Sequence, residues 1–443
     1  MNNPIESDTE IPEIPEDYPE ISEEYPELPD LLDKYMPWTS KQLAQPVVRT
    51  KQGNLTFGDL CKSNLIISRY SQSGKASTKA LLARELMSQG YGWFGISSTK
   101  GDVLKQIQWA FDADRIIYDE ETGEVSGGVY ILGSKSDLYT VKDENGKEVS
   151  LFFPNTKINF FEALIAQNAS YASYHEEINF AVAILRKVAE QVIFKGCAKD
   201  IKFITWPDRL LKSLLTLIYS IKQNLDIDEI HSMVMSLPCK REDIEDRESD
   251  WKTKSYFAKF MRENSKNVSI AVRVDNLDRN LLRSVEDCLE VITSLSAETK
   301  SRVFGALELL IAFLRRNPLY TMMFSETDIS PETIRQGNIF ICGLSRAANA
   351  DDARAAAILY KAMFQQVLTT TPRGKGAVIW GEEEKNMEDD NDFRASAVES
   401  RTISVYEASD YRDRDIDFEG ATEITNNPLT RFKNAVFGLL RKK

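Results

Sequence analysis

The sequence predicts an α/β fold: a mainly parallel β-sheet flanked by helices, with an all-helical domain inserted into it. Three observations lead to this prediction. Short apolar runs alternate with helical patterns in the first third of the chain, strand signals nearly vanish from about residue 169 to residue 327, and buried-strand patterns return after residue 337. A chain of 443 residues, 42% of them hydrophobic, is long enough to bury such a core.

The N-terminal segment differs in composition from the rest. Residues 1–35 hold twelve acidic side chains against one base, Lys34, and so carry −11 of the formal charge of −13. Their repeated Pro-Glu units offer too little apolar surface to offset the entropy of ordering. We expect a disordered acidic tail, which either keeps the chain soluble or binds basic protein partners. The remaining chain carries only −2, so its charge does not exclude DNA as a partner.

The first strand, loop and helix carry the main chemical motif. A short apolar strand at Asn64–Ser68 leads into the polar stretch RYSQSGKAS, and a helical pattern follows up to Gly90, which suits a helix C-cap. A P-loop has the pattern G-x-x-x-x-G-K-[ST]: backbone N–H groups wrap the phosphates, the Lys reaches the β and γ oxygens, and the hydroxyl holds Mg²⁺. The run Ser73, Gly74, Lys75 matches its second half and predicts a phosphate-binding loop.

Two positions depart from that pattern. Arg69 replaces the first glycine, and Ala76 replaces the hydroxyl that would hold Mg²⁺. Ser77 lies one residue further on and therefore about 100° further round the helix, so it does not simply replace that hydroxyl. Taken alone, the tripeptide is better explained by an ordinary solvated loop lysine at Lys75, and only its context favours a phosphate-binding loop.

A later strand ends in carboxylates. Residues Gly376–Trp380 have the pattern of a buried strand, and Gly381 is followed by Glu382, Glu383 and a third glutamate. In P-loop motors the corresponding strand end holds the Mg²⁺ shell and a water-activating glutamate. We expect Lys75 and Glu382 at adjacent strand ends, with Glu382 ordering Mg²⁺ through water and Glu383 polarising the attacking water. The alternative is a solvated acidic loop.

The order of these parts resembles the TraD/TraG-type coupling ATPases of conjugation and type IV secretion, within the wider group of FtsK- and HerA-like DNA motors. The resemblance covers about residues 60–412 and rests on six short phrases in family order. The phrases are Ser73-Gly74-Lys75 with Ser77, Lys100-Gly101-Asp102, Asn159-Phe160-Phe161-Glu162-Ala163, Asp200-Ile201-Lys202-Phe203 with Trp206, Gln336-Gly337-Asn338-Ile339-Phe340, and Ala408-Ser409-Asp410-Tyr411.

The resemblance implies a RecA-like P-loop NTPase that binds ATP and Mg²⁺, forms a homo-oligomeric ring, and translocates or transfers DNA. It implies catalytic roles for Glu382 and Glu383, with Glu382 also at the metal, and a γ-phosphate sensor at Asp410. The implied nucleotide-binding residues are Ser73, Gly74, Lys75, Ser77 and Thr78.

The departures from the family pattern concentrate at that implied site. They are Arg69, Gln72, Ala76, Ser98 and Asp410. We therefore expect an ATPase fold of the DNA-translocating type with a degenerate Walker A motif and weakened hydrolysis. The alternative is a catalytically inactive NTPase-fold scaffold or regulatory subunit of a DNA-transfer or defence assembly.

The chain divides into five predicted segments. They are the disordered acidic tail (1–45), the first half of the NTPase domain (46–168), the all-helical inserted domain (169–330), the second half of the NTPase domain (331–425) and a basic amphipathic C-terminal helix (426–443). The last segment either packs on its own domain or binds DNA, a membrane surface or the acidic tail. No apolar run approaches twenty residues, so we expect no transmembrane segment and a cytoplasmic location, either free or peripheral to a membrane assembly.

Overall fold

The computed structural model describes most of the chain between residues 46 and 424. The described residues are 46–50, 53–56, 65–68, 75–97, 99–133, 135–165, 171–195, 202–246, 248–265, 279–344, 349–371, 374–381, 402–408 and 422–424. The predicted acidic tail and the predicted C-terminal helix lie outside them.

Strands and helices alternate through the first part of the chain. They are β1 (Pro46–Thr50), β2 (Gly53–Thr56), β3 (Leu65–Ser68), α1 (Lys75–Ser88), β4 (Gly92–Ser97), α2 (Lys100–Asp112), β5 (Ile117–Tyr118), β6 (Val125–Gly127), β7 (Val129–Leu132), β8 (Asp137–Lys142), β9 (Glu148–Phe153) and α3 (Phe160–Leu164).

The described elements of the middle region are helical. They are α4 (Tyr171–Val188), a π-helix (Ala189–Ile193), α5 (Lys202–Lys222), α6 (Ile227–Val234), α7 (Arg241–Glu245), α8 (Asp250–Lys254), α9 (Tyr256–Glu263), α10 (Arg279–Glu286), a second π-helix (Asp287–Val291), α11 (Ile292–Ser294), α12 (Ala297–Leu314), α13 (Leu319–Met323) and a 3₁₀ helix (Pro331–Gln336).

The last part returns to strands. Its elements are β10 (Ile339–Gly343), α14 (Ala350–Thr370), β11 (Ala377–Gly381), β12 (Thr402–Ala408) and β13 (Thr422–Ile424). Seven strands form one sheet in the order β13-β3-β12-β11-β4-β10-β7, and every pairing in it is parallel. The predicted α/β fold, a mainly parallel sheet flanked by helices, is confirmed.

The sheet is buried on both faces, as a parallel sheet covered by helices must be. Every residue of β4, β10 and β11 is buried. Neighbouring residues alternate between two cores: Trp93 packs in the cluster that contains α1 and α2, whereas Phe94 packs in the cluster that contains α14 and the helical region. Phe94 stacks on Phe364 of α14 with 4.2 Å between the ring centroids. The core therefore joins the sheet to both helical layers.

The alternating strand and helix patterns of the first third predict parallel β/α units, but the structure also contains antiparallel pairs there. Three antiparallel pairs, β1–β2, β5–β6 and β8–β9, lie outside the main sheet. The turn of the β8–β9 hairpin is shaped by Asp143, whose Oδ1 accepts hydrogen bonds from the backbone N–H groups of Asn145 and Lys147 at 2.9 and 2.8 Å. Gly146 takes a φ of 78°, which favours glycine. The turn therefore has a local signal in the sequence, an Asp followed three residues later by Gly.

The two ends of the helical region are held together. Asn159 caps α3, and its Nδ2 donates to the backbone oxygen of Ser325 at 2.8 Å. The hydroxyl of Thr327 hydrogen-bonds to the carboxylate of Glu162. The family-like phrase 159–163 thus acts structurally, as the clamp between the chain entering and leaving the helices. The domain bounds 169–330 stay a prediction.

Two carboxylates inside the helical region differ in their pairing. Asp287 is 5% exposed and accepts hydrogen bonds from Arg209 Nε at 2.9 Å and from Ser213 Oγ at 3.0 Å. Asp208 pairs with Arg186 at 3.1 Å, but burial raises the pKa of Asp208 to about 6.

Among the described helices, none has both the length and the apolar character that a membrane span requires.

Candidate nucleotide-binding site

The strands that precede the predicted motifs end at one edge of the sheet, the carboxyl edge. Strand β3 ends at Ser68, and α1 begins at Lys75 after the intervening loop. In the parallel register Ala408, the last residue of β12, lies level with Ser68, while Gly381, the last residue of β11, lies level with Tyr406. All three strands therefore deliver their following loops to one edge, which is where open α/β sheets bind ligands.

The prediction that Lys75 and Glu382 occupy adjacent strand ends is wrong in its detail. Strand β12 lies between β3 and β11, so the two strand ends are separated by two interstrand steps, roughly 9.6 Å. The strand between them is the one that leads toward Asp410, the predicted sensor. Each strand pattern was identified correctly, but the sequence contains no signal for which strand pairs with which.

The structure describes only part of the predicted site. Lys75, Ser77 and Thr78 belong to the first turn of α1, which is described by its backbone. The other candidates lie outside the described residues, and their roles stay predictions: Ser73, Gly74, Glu382, Glu383 and Asp410, together with the departing positions Arg69, Gln72 and Ser98.

Helix α1 presents its N-terminus at this edge. The first N–H groups of a helix have no partner within the helix, and its dipole favours an anion there. No acidic residue lies in the first turn to compete with a phosphate. Ala76, the second residue of α1, supplies no oxygen for a metal. The residues present fit a phosphate group better than they fit Mg²⁺.

The far end of α1 is fixed to the core. Leu82, Leu86 and Met87 are buried, and Gly90 has a φ of 81°, which confirms it as the residue that ends the helix. The guanidinium of Arg115 donates to the backbone oxygen of Met87 at 3.0 Å, where the helix dipole favours a cation. The helix therefore has a defined direction, with its free N–H groups toward the carboxyl edge.

A buried polar network lies at the carboxyl end of β4, next to β11. Sequence reasoning missed it. Gln106 of α2 accepts a hydrogen bond from Trp93 Nε1 at 2.8 Å and donates to Ser97 Oγ at 2.7 Å. Ser97 is the last residue of β4, whose neighbour in the sheet is β11. Gly95 leaves the room that Gln106 needs, because a Cβ there would lie 1.8 Å from Gln106 Oε1. A glycine in the middle of an apolar strand was the available signal.

The Lys-Gly-Asp phrase that follows β4 has a structural role. Thr99 caps α2: its Oγ1 accepts from the backbone N–H of Asp102 at 3.2 Å and donates to the Asp102 carboxylate at 2.6 Å. Lys100 pairs with Asp137 at 3.2 Å and lies 5.2 Å from the centre of the Tyr139 ring. The phrase begins α2 and connects it to the β8–β9 hairpin through the contacts of Lys100.

Within the described residues, no group of three or more His, Cys, Asp or Glu side chains is placed to hold a metal.

The parallel sheet, the strand–loop–helix unit and the shared carboxyl edge define the class of fold: the chain has the predicted α/β fold, a mainly parallel sheet flanked by helices.

No protein-family profile matches the sequence, and no curated protein matches it. Among solved structures, the chain is similar to the bacterial conjugative coupling protein TrwB in its unbound form, at 12% identity over 82% of this chain and 67% of that one, with a TM-score of 0.45. It is similar to TrwB in complex with ADP and Mg²⁺, at 10% identity over 84% and 70%, with a TM-score of 0.43. VirB4 of Thermoanaerobacter pseudethanolicus is also similar, at 12% identity over 89% and 87%, with a TM-score of 0.43.

Proposed function

We propose that this chain is a P-loop NTPase-like protein of DNA translocation or DNA transfer, of the kind that couples conjugation to type IV secretion, with weakened ATP hydrolysis. One observation carries the proposal. The strand before the Ser73-Gly74-Lys75 loop, the strand before Glu382 and the strand before Asp410 lie side by side in parallel and end at one edge. The family resemblance assigns the loops that follow these three strands to nucleotide, metal and sensor, and the common edge of the strands supports that assignment.

The proposed site residues would have separate roles in binding phosphate, metal and water. Bound ATP with Mg²⁺ supplies a transferable phosphoryl group. The N–H groups of Gly74 and of the first turn of α1 would donate to phosphate oxygens, and the ammonium of Lys75 would neutralise their charge. Glu382 would order the metal through water, and Glu383 would orient a water molecule and accept its proton.

Weakened hydrolysis is proposed because of Ala76. Its position near the start of α1 is the one from which a P-loop hydroxyl reaches the metal, and a methyl group offers no lone pair. The same observation favours a second candidate function, a catalytically inactive NTPase-fold scaffold or regulatory subunit of a DNA-transfer or defence assembly. Phosphate contacts from the loop do not need the hydroxyl, so a chain of either kind can bind nucleotide, and hydrolysis of the bound nucleotide separates the two candidates.

The partners are proposed on similar grounds. DNA is favoured by the family resemblance, and the body of the chain beyond the acidic tail, with a charge of −2, does not oppose it. A homo-oligomeric ring follows from the same resemblance. The tail would bind basic protein partners, and the chain would act in the cytoplasm, free or at a membrane assembly.

Equilibrium binding of a fluorescent ATP analogue to the full chain, with and without Mg²⁺, tests the proposal. Lys75→Ala should weaken binding at least tenfold, because it removes the charge that offsets the phosphates. Lys147→Ala, an exposed lysine in the β8–β9 turn, is the matched control and should bind normally. Equal affinity of both variants would overturn the site assignment, and no binding by the wild type would favour the scaffold.

Hydrolysis is measured in parallel, with and without DNA. The proposal expects slow turnover, and no turnover would favour the inactive scaffold. Turnover within the ordinary range of about 1–100 s⁻¹ for phosphoryl-transfer enzymes would show that the metal site is intact and that hydrolysis is not weakened.

A further inference from the structure

The β8–β9 hairpin has one edge that no described strand covers. Its strands form a two-stranded sheet in which each pairs only with the other. Strand β8 is the outer one, since the far side of β9 is approached by Glu124, which bridges Phe152. Unpaired backbone groups along the edge of a sheet are a template for pairing with another strand. The outer edge of β8 is therefore a place where a second molecule could attach.

Alternate residues of β8 direct their backbone groups outward. In an antiparallel pair, every second residue turns its N–H and C=O toward the partner strand, and the next residue turns them away. Asp143, which follows β8, donates its N–H across the turn to the backbone oxygen of Lys147 at 2.9 Å. Counting back from Asp143, the residues that turn outward are Leu138, Thr140 and Lys142, and all three are exposed.

The side chain of Gln108 occupies the outward groups of Lys142. Gln108 of α2 donates from Nε2 to the backbone oxygen of Lys142 at 2.8 Å, and its Oε1 accepts from the backbone N–H of Lys142 at 2.9 Å. These are the same two hydrogen bonds that a residue of a neighbouring strand would make. Gln108 Nε2 also donates to Asp112 Oδ1 at 2.7 Å, which holds the amide in this orientation. The backbone of Lys142 is therefore closed to another strand.

The other end of this edge is partly closed by Asp137. The backbone N–H of Leu138 donates to Asp137 Oδ1 at 2.9 Å, and Lys100 Nζ pairs with the same oxygen at 3.2 Å. Thr140 lies midway between the two ends, and among the described side chains none bonds to its backbone. Only the middle of the edge is left open.

Without these side chains, the edge would complement the same edge of a second copy. Two such edges can pair antiparallel about a two-fold axis at Thr140, which places Leu138 opposite Lys142 of the other copy. Every outward N–H and C=O would then have a partner, and the aliphatic stem of Lys142 would cover the exposed Leu138. Both outer pairs need the backbone of Lys142, so Gln108 leaves only the central pair. One pair is too little to offset the entropy lost on association.

We propose that Gln108 closes the outer edge of β8 against antiparallel pairing with a second copy of this chain. Any ring or other homo-oligomer that the wild-type chain forms then uses other surfaces. The closure involves none of the residues of the proposed nucleotide site, so the two proposals can fail separately.

Cross-linking of the full chain through Thr140→Cys tests the closure directly. Facing residues of a hydrogen-bonded antiparallel pair have Cα atoms about 5.5 Å apart, within reach of a disulfide. Under mild oxidation, Gln108→Ala combined with Thr140→Cys should cross-link two copies at least about tenfold faster than Thr140→Cys alone, because the outer pairs can then form. Mass spectrometry identifies the linkage between the two copies of residue 140.

Gln89→Ala combined with Thr140→Cys is the matched control. Gln89 follows α1, and its Nε2 donates to Glu85 Oε1 at 2.9 Å instead of to β8. This control should cross-link at the rate of Thr140→Cys alone. Equal rates in the Gln108→Ala and Gln89→Ala backgrounds would overturn the proposal.

Gln108→Met separates the loss of the amide from the loss of packing. Methionine keeps a side chain of similar length but cannot make the two hydrogen bonds to Lys142. Combined with Thr140→Cys, it should cross-link as fast as the Gln108→Ala variant does. A rate no higher than that of Thr140→Cys alone would show that the amide of Gln108 does not close the edge.

Charges at position 140 test the pairing geometry. Gln108→Met alone should sediment as a larger species than the wild type at the same concentration. Adding Thr140→Lys or Thr140→Glu should return each variant to the wild-type size, because like charges then lie directly opposite each other. The equimolar mixture of these two variants should form the larger species again, since opposite charges meet. A larger species in either variant alone, or none in the mixture, would refute the proposal.

Discussion

Replacing Gly95 by alanine is expected to destabilise the protein by about 2–6 kcal/mol. The new Cβ would lie 1.8 Å from Gln106 Oε1 and 2.7 Å from Trp93 Nε1, so the side chains must move. Overpacking of a close-packed core costs about 1–3 kcal/mol. Moving Gln106 also breaks its hydrogen bonds to Trp93 and Ser97, both buried, and an unsatisfied buried polar group costs about 1–3 kcal/mol.

Urea unfolding followed by tryptophan fluorescence and circular dichroism measures the effect. Gly305→Ala is the matched control: nothing lies within 4 Å of its added Cβ on α12, and alanine there should leave stability unchanged or raise it by about 0.5–1 kcal/mol. Adding Gln106→Ala to Gly95→Ala should recover part of the loss, because the clashing side chain is gone. A Gly95→Ala protein as stable as the Gly305→Ala control would refute the reasoning.

Three further outcomes are expected. The variant Arg69→Gly, Gln72→Gly, Ala76→Thr should bind ATP about tenfold more tightly with Mg²⁺, because it restores phosphate and metal contacts, and its hydrolysis should improve less. A chain starting at Met36 should melt at the same temperature as the full chain, since the tail has no apolar face. Asp208→Asn should raise the free energy of unfolding by about 1–2 kcal/mol at pH 7.5, because burial raises the pKa of Asp208 to about 6 and penalises its charged form. That gain should disappear as the pH falls from 6 to 4, where Asp208 becomes protonated in both states.

Each of these has its own contradicting result. Ala76→Val in place of Ala76→Thr matches the shape without the hydroxyl, so an equal gain in affinity would exclude metal ligation as the cause. A drop of about 5 °C or more on deleting the tail would show that it packs on the body. A stabilisation by Asp208→Asn that is the same at pH 4 and pH 7.5 would show that the carboxyl does not titrate in this window.

Most strands of the main sheet could be predicted because a strand that is buried on both faces has a continuous run of apolar residues in the sequence. The segments 92–97, 339–343 and 377–381 are short, continuous apolar runs bounded by turn residues, and each forms a fully buried strand. The half-buried β8–β9 hairpin was not predicted, because its strands alternate between buried and exposed residues and so contain no continuous apolar run.

The candidate site was predictable only in its parts. The loop before Lys75 and the glutamates from Glu382 onward stand out as short local motifs next to strand patterns. The buried network of Trp93, Gln106 and Ser97 does not stand out in the sequence, because Gln106 has no special local pattern and its two partners are brought beside it only by the fold. The phrase at residue 159 likewise proved to be a clamp between chain segments, through contacts to Ser325 and Thr327.

The sequence by itself determined most strands of the main sheet, the helical character of the middle region and the strands that precede the predicted phosphate-binding loop and the predicted acidic end, because these depend on local periodicity and on motifs of a few residues. Only the tertiary structure decided that β12 separates β3 from β11 and that Ser97 closes a buried network at the same edge. The physical reason is that a parallel sheet pairs strands distant in sequence, as β3 pairs with β12, more than 300 residues away. The apolar pattern of a buried strand is a local property of the sequence, whereas strand pairing depends on the packing of the whole chain.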